Sequence, residues 1–248
     1  MPGLTITRIT HACALLDFGG ATILTDPWFS EKPTYHPGEP IALQPMELPP
    51  LAGVIISHGH YDHCDLRAFA DYPDKTVPFA VKRGLAAKVR AAGFGNVTEL
   101  DPWQNASLGG VTITAAPARH QVPEVTFLLS AGQHTAFFGG DTLLIPELTD
   151  IARQFPSIDA ALLPINGLRI RPLLNKQVVM DAHEAAALTK LLHPAAAIPI
   201  HYAFTGGCLG DRLLVKHDGN PQDYQDAASD LAPGTAVHIL APGAPLTI

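Results

Sequence analysis

From Leu4 to Ile9 apolar and polar residues alternate, the period of a half-buried strand, and Ala12 to Phe18 is a second run of the same kind. Gly19-Gly20 supplies the turn into a third, Ala21 to Thr25. Pairing should stop at Asp26-Pro27, because the residue before proline is restricted and proline donates no ladder bond. Between Ser30 and Pro50 the pattern dissolves into Pro, Glu and Gly, which predicts a long surface loop of the kind that covers a site. The apolar, β-branched run Leu51 to Ser57 then predicts another strand.

Downstream, strand and helix patterns alternate. Val77 to Val81 reads as strand, Gly84 to Ala92 as an Ala-rich helix ended by Gly93, and Val111 to Ala115, Val125 to Ser130 and Thr135 to Phe138 as strands. Pro146 to Phe155 reads as a helix with proline at its start, Ala160 to Ile165 as a buried strand, and Asn166 to Val179 as irregular. Asp181 and Glu184 form a capping-box pattern that opens a helix over Ala182 to Leu192. A buried strand, Ala196 to Ile200, leads into His201. A helix over Gln222 to Leu231, a Pro-Gly turn at 233 and 234 and a strand over Ala236 to Leu240 close the pattern. No linker, low-complexity tract or fixed-period repeat interrupts this mixture of α and β, which predicts one domain over residues 1–248.

Composition narrows the class. With 47% hydrophobic and 16% charged residues, the chain of 248 residues must bury a large core and is not disordered. Sixteen Lys plus Arg against 23 Asp plus Glu leave a formal charge of -7 with no basic cluster, which argues against nucleic acid as a partner. Cys13, Cys64 and Cys208 are odd in number and form no CxxC, so neither a disulfide framework nor a thiolate metal site is expected. No apolar run reaches membrane-spanning length and the N-terminus lacks a signal-peptide pattern. The expectation is a cytoplasmic protein with a small-molecule substrate and no membrane partner, a homo-oligomer being left open.

Histidine changes the picture. Directly after the strand at Val54 to Ser57 comes His58-Gly59-His60-Tyr61-Asp62-His63, four metal-ligand side chains within six residues. At this chain's His and Asp content such a string arises by chance roughly twice in a thousand sequences. In an extended loop alternate residues point the same way, so His58 and His60 suit one ion while Asp62 and His63 turn towards another. Three other strands also end in a ligand type: His120 follows 111–115, Asp141 follows Phe137-Phe138-Gly139-Gly140, and His201 follows Ile198-Pro199-Ile200.

In these motifs, together with Asp26, the sequence resembles the metallo-β-lactamase superfamily. Thr10-His11-Ala12, Asp26-Pro27-Trp28-Phe29, Gly140-Asp141-Thr142 and Ile200-His201-Tyr202 resemble its branch of ascorbate-6-phosphate lactonase and related hydrolases. The resemblance implies an α/β (α+β) fold, a four-layer αββα sandwich with metals at one edge between two sheets. It implies one ion held by His58, His60 and His120, a second by Asp62, His63 and His201, Asp141 bridging them, and Asp26 behind the ligands as an acceptor that orients the His loop. The implied activity is hydrolysis, in which a hydroxide shared by two divalent cations attacks an ester, lactone or phosphoester of a small anionic metabolite, with Asp62 or Asp141 orienting the hydroxide or taking up a proton. Zinc is the first choice of ion, and manganese or iron also suit imidazole and carboxylate. A phosphodiesterase acting on lipid-like or cyclic nucleotide substrates and a non-catalytic metal-binding module are the alternatives. Di-iron redox chemistry would call for a ligand set richer in carboxylates.

Around this cluster, His11 is a candidate for substrate or outer-shell contact, with a satisfied turn histidine as the alternative, and Trp28 with Phe29 either wall the pocket or belong to the core. His183, in the first turn of the 182–192 helix, is either neutral or aimed at the site. Arg119, Arg169, Arg171 and Lys176 are candidate clamps for an anionic substrate, although arginine is more often a solvated surface residue. His36, His134, His193, His217 and His238 read as structural or solvated, and Cys64 as a small buried hydrophobe.

Overall fold

A computed structural model describes residues 3–248. Leu4–Thr10 pairs antiparallel with Cys13–Phe18, which pairs with Thr22–Thr25, as the alternation of their side chains predicts. Gly53–Ile56, Phe79–Lys82 and Val97–Leu100 extend this sheet in parallel, and Pro245–Thr247 closes its other edge against Leu4–Thr10, giving seven strands. A second seven-stranded sheet runs Ala236–Val237, Ala196–Ile200, Ala160–Pro164, His134–Phe138, Val125–Ala131, Val111–Pro117 and Asn105–Leu108 in spatial order.

Period two decides which side chains meet. Ile55 points between the sheets while Val54 and Ile56 point outwards; Ala160 and Leu162 point inwards while Ala161 and Leu163 point out. Both faces are buried, which is why these central strands read as continuous apolar runs. Phe127, Phe138, Ile113 and Ile198 fill the space between the sheets. Phe69, Phe79, Phe94 and Val89 pack the helical pieces Leu66–Phe69 and Ala86–Ala91 onto the outside of the first sheet. Thr149–Gln154, Ala182–Leu192 and Pro221–Leu231 cover the outside of the second, with Tyr224 and Thr189 sharing a buried hydroxyl hydrogen bond of 2.7 Å between the last two. The layers are those of an αββα sandwich.

The differences from the sequence pattern lie at edges. Val97–Leu100, Asn105–Leu108 and Pro245–Thr247 are strands of three or four residues with half-exposed, mixed side chains, too short and too polar to display a period. The segment expected to be irregular contains Arg169–Ile170 and Lys176–Gln177, which join Val215–Lys216 in a small three-stranded sheet. Gly207–Leu213 is a helix that its two glycines conceal in the sequence. The 30–50 stretch is a loop, as expected, with one 3₁₀ turn at Pro45–Glu47. It is tied down by paired backbone bonds between His36 and Thr205 and by Gly38, where a Cβ would lie 1.8 Å from the Ala203 carbonyl oxygen.

The carboxyl ends of Gly53–Ile56 in one sheet, and of the parallel strands His134–Phe138 and Ala196–Ile200 in the other, open at the same edge of the sandwich. In α/β sheets this is where ligand sites form, since loops leaving adjacent parallel strands converge there.

The capping box predicted for Ala182–Leu192 is present: the Asp181 carboxylate accepts from the Glu184 amide at 2.9 Å and Glu184 accepts from the Asp181 amide at 3.1 Å. Asp181→Ala should therefore lower the unfolding free energy by about 1 kcal/mol in urea titrations while leaving the near-UV spectrum unchanged.

Candidate metal centre

At that edge the structure brings all seven expected ligand residues together. His58 Nε2 and His120 Nε2 lie 3.0 and 3.2 Å from His60 Nδ1, so three ring nitrogens face one point. On the other side, His63 Nε2 and His201 Nε2 lie 3.2 and 3.0 Å from Asp141 Oδ1, and each is within 4 Å of Asp62 Oδ2. The two carboxylate oxygens of Asp141 face opposite ways: Oδ1 meets His63 and His201, while Oδ2 lies 3.9 Å from His58 Nε2 and 3.7 Å from His120 Nε2. Three groups of ligand atoms result, each gathered within 4.8 Å: His58, His60, His120 and Asp141; His11, Asp62, His63 and His201; and, behind them, Asp26, His58 and His63.

Local backbone explains why these side chains point inwards. His11, Asp26 and His201 have φ of +50°, +33° and +60°, the left-handed region that a chain adopts only where the surroundings enforce it. Gly140 has φ of +55°, and a Cβ there would lie 2.4 Å from Glu124 Oε1, so the turn that delivers Asp141 requires glycine.

Behind the cluster, polar groups set the orientation of the rings. Asp26, fully buried, accepts from the Ser57 amide at 2.7 Å, the Ser57 hydroxyl at 2.6 Å and His63 Nδ1 at 2.7 Å, which turns His63 Nε2 into the site. This is the orienting position expected for Asp26. His120 Nδ1 donates to the Val178 carbonyl at 2.7 Å, with the same consequence for its Nε2. Sequence reasoning missed Glu124, which stands 3.2 Å from His58 Nδ1 and accepts from the Asp141 amide at 2.7 Å. It also missed Arg8 and Glu39. The guanidinium of Arg8, without solvent exposure, pairs with Glu39 and donates to the Tyr202 hydroxyl and the Leu240 carbonyl, while Glu39 accepts from the His11 amide at 2.8 Å. Neither carboxylate belongs to a motif; their one legible sign is a charge in a chain poor in charges.

Electrostatics follow from burial. Desolvation lowers His58 to about 3 and His60 to about 4, with neighbouring imidazoles adding to the effect, and lowers His11 to about 3, with His201 adding to it. These rings are neutral at pH 7, the form that offers a lone pair. Burial would also lower His63, but Asp141 and Asp62 outweigh it and hold His63 well above its ordinary value. Burial opposes ionisation of Asp62 and Asp141, but His63 for the first and His201 with His63 for the second keep both carboxyls below the usual range. Burial pushes Glu124 up to about 8.

The cluster floors a cavity of about 150 Å³, onto which His60, Asp62, His120 and Asp141 open. Its walls are Tyr35 from the 30–50 loop, Ile170 from the small sheet with Leu168 just before it, and Phe204, Leu214 and Val215 from around the Gly207–Leu213 helix. Burial raises the Tyr35 phenol, so it keeps its proton. Arginine is missing from these walls. Arg119 reaches towards Glu147, Arg169 donates to Gln177 and Arg171 to the carbonyls of Asp211 and Val215, so the expected clamp on an anion is not assembled: these guanidinium groups face other elements. Lys176 is exposed and does not line the cavity. Trp28 is fully buried, its ring edge-on to His11 at 4.8 Å, so it backs a site residue instead of walling the pocket. Phe29 is core, stacked on Phe69. His36, His134 and His217 pair with Glu31, Asp159 and Asp211, and His183 and His193 are exposed. Cys64 is a half-buried thiol raised by burial to about 11.

The sequence matches the beta-lactamase superfamily domain over residues 21–202. An uncharacterised protein of Mycobacterium tuberculosis is 32% identical over 180 residues, 65% of this chain and 48% of that protein, so this chain spans about half the length of that relative. A metal-dependent hydrolase of Pyrobaculum islandicum is 26% identical over 96% of this chain and 97% of its own. Among solved structures, a metallo hydrolase from Ignicoccus hospitalis superposes with a TM-score of 0.73 at 21% identity, covering 99% of this chain and 98% of that one.

Two outcomes follow from the geometry. In chelator-treated protein the depressed folded pKa of His11, His58 and His60 means that the unfolded chain takes up protons first, so stability is fully present above about pH 6.5 and falls towards pH 4. His63, shifted upwards, gains stability as pH falls to 6.5 and is constant below it, and Glu124, raised to about 8, gains as pH falls towards 4.5, so these two groups offset part, but not all, of the loss from the three imidazoles. Urea midpoints at pH 7.5 and 5.0 measure the difference, and the lower pH should give the lower midpoint. Asp26→Asn keeps the shape but loses the carboxylate that orients His63, and it should weaken divalent-metal binding by about 10- to 100-fold in chelator competition.

Proposed function

This chain belongs to the beta-lactamase superfamily, and on that premise we propose that it is a metal-dependent hydrolase of a small, largely apolar substrate. The observation that carries the reading is a set of buried ligand atoms that crowd one another without forming hydrogen bonds of normal geometry: Asp62 Oδ1, His63 Nε2, Asp141 Oδ1 and both ring nitrogens of His201. Polar atoms removed from water cost about 1–3 kcal/mol each when left unpaired. Their convergence on two points fits a pair of divalent cations.

His58, His60 and His120 would hold one ion, and Asp62, His63 and His201 the other, with Asp141 shared. The donors are imidazole and carboxylate without thiolate, which suits zinc and also manganese or iron. Such a pair supplies Lewis acidity and a water that ionises near neutral pH. The chain contributes the rest. Asp26, Glu124 and the Val178 carbonyl fix the rings. Asp62, ionised and among the cavity-lining residues, would help hold the second ion and orient the attacking water. The walls of Phe204, Leu168, Ile170 and Leu214 exclude bulk water and receive the unreactive part of the substrate.

Among the cavity-lining residues no Lys or Arg is present. An uncharged ester or lactone with an apolar substituent therefore fits better than the anionic metabolite expected from sequence, and a phosphodiester would have its charge met by the cations alone.

The test is a panel of aryl esters, lactones and bis-p-nitrophenyl phosphate with the metal-loaded protein. Turnover should favour the uncharged apolar members, disappear on chelation and return with zinc or manganese. Asp62→Ala should reduce kcat/KM by about 10³-fold or more with an unchanged circular-dichroism spectrum. Tight metal binding without turnover of any member would favour a metal-holding module instead.

A further inference from the structure

Resting on the reading of this cluster as a metal centre, we infer that His11 is a direct ligand of the second cation, which thereby gains a ligand on the side away from the cavity. His11 lies outside the six-residue motif and outside the strand ends that supply the other ligands. Its imidazole is fully buried, and His11 Nε2 stands 3.4 Å from Asp62 Oδ2. Its ligand atom lies within 4.8 Å of those of Asp62, His63 and His201, and its ring centroid is 3.9 Å from that of His201.

Neither ring nitrogen of His11 has a hydrogen-bond partner, so the satisfied-turn alternative does not describe it. The chain also invests in placing this ring. The Leu4–Thr10 and Cys13–Phe18 pairing shifts register between Arg8 and Thr10, which bends the hairpin end, and His11 takes a left-handed φ of +50°. Glu39, itself anchored by buried Arg8, accepts from the His11 amide, and Trp28 closes the ring from the side. This apparatus delivers a nitrogen lone pair to a place that contains no donor for it.

The two ions would then differ. The first has three imidazoles and an oxygen of Asp141, with His60, His120 and Asp141 opening on the cavity. The second has the imidazoles of His11, His63 and His201, none of which lines the cavity, with Asp62, which does, and the other oxygen of Asp141 is also in reach. That set exceeds the four ligands of a tetrahedral zinc site and suits an ion taking five or six. Exchange with solvent and substrate would fall mainly to the first ion.

Cobalt(II) titration of the full chain tests this. The probes are the visible d–d bands, binding affinities from chelator competition, and the exchangeable imidazole N–H resonances shifted by the paramagnetic ion in proton NMR. His11→Asn is the variant, because asparagine tolerates the left-handed backbone; His11→Ala is the second variant. In the wild type, one of two equivalents should show the weak bands of a five- or six-coordinate ion. In both variants that equivalent should bind at least tenfold more weakly with altered bands, the other should be unchanged, and one shifted N–H resonance should be missing. Retention of every shifted resonance and of both affinities would overturn the assignment, as would an equal weakening of both sites, which marks a role in holding the loop. Failure of the wild type to bind cobalt at all would remove the metal centre itself, a result distinct from these.

Discussion

Water is kept away from the edge where the two sheets meet, and most of the molecule can be read as a response to that. Six of the seven expected ligand side chains, together with His11 and Asp26, are buried or nearly so, and several of their atoms have no partner in the protein. Isolated charges and unpaired polar atoms in such surroundings destabilise a fold unless something meets them. Carboxyl groups on the protein side meet the far ends of the rings: Asp26 behind His63 and Glu124 behind His58. The near ends are left for ions. Ions held there would couple metal binding to folding, since the unfolded chain holds no such arrangement of ligands.

The same constraint explains the buried Arg8–Glu39 pair. A guanidinium without solvent exposure is costly unless its donors are used, and here they reach Glu39, Tyr202 and the Leu240 carbonyl. Through these bonds one charge network joins the first hairpin, the 30–50 loop and the segment after His201. Each of those segments places a residue at the site: His11, Tyr35, and Phe204 beside His201. The loop is thus part of the pocket's construction, pinned at Gly38 against Ala203.

The chemistry and the selectivity of the site come from different parts of the molecule. Ligands come from the ends of sheet strands, whose positions are fixed by a packed core on both faces. Walls come from the loop, the small three-stranded sheet and the Gly207–Leu213 helix, short elements added around the sandwich. Such an arrangement allows the metal geometry to stay constant while the pocket lining varies, because the lining segments carry little of the core.

Much of the ligand set is legible in the amino-acid sequence, for a local reason: His58, His60, Asp62 and His63 are neighbours in the chain, and His120, Asp141 and His201 each follow an apolar run whose period announces a strand end. The central strands and the capped helix over Ala182–Leu192 are legible in the same way, since burial on both faces or on one stripe writes itself into consecutive residues. What sequence could not supply was any relation between residues far apart that no periodicity links. Glu124 behind His58, the Arg8–Glu39 pair under His11, the three arginines turned away from the cavity and the apolar character of its walls were all decided by packing, which depends on which distant surfaces meet. His11 shows the division within one residue: its presence near the edge followed from the hairpin pattern, whereas the direction of its ring followed from a bulge, a left-handed backbone and a carboxylate 28 positions away.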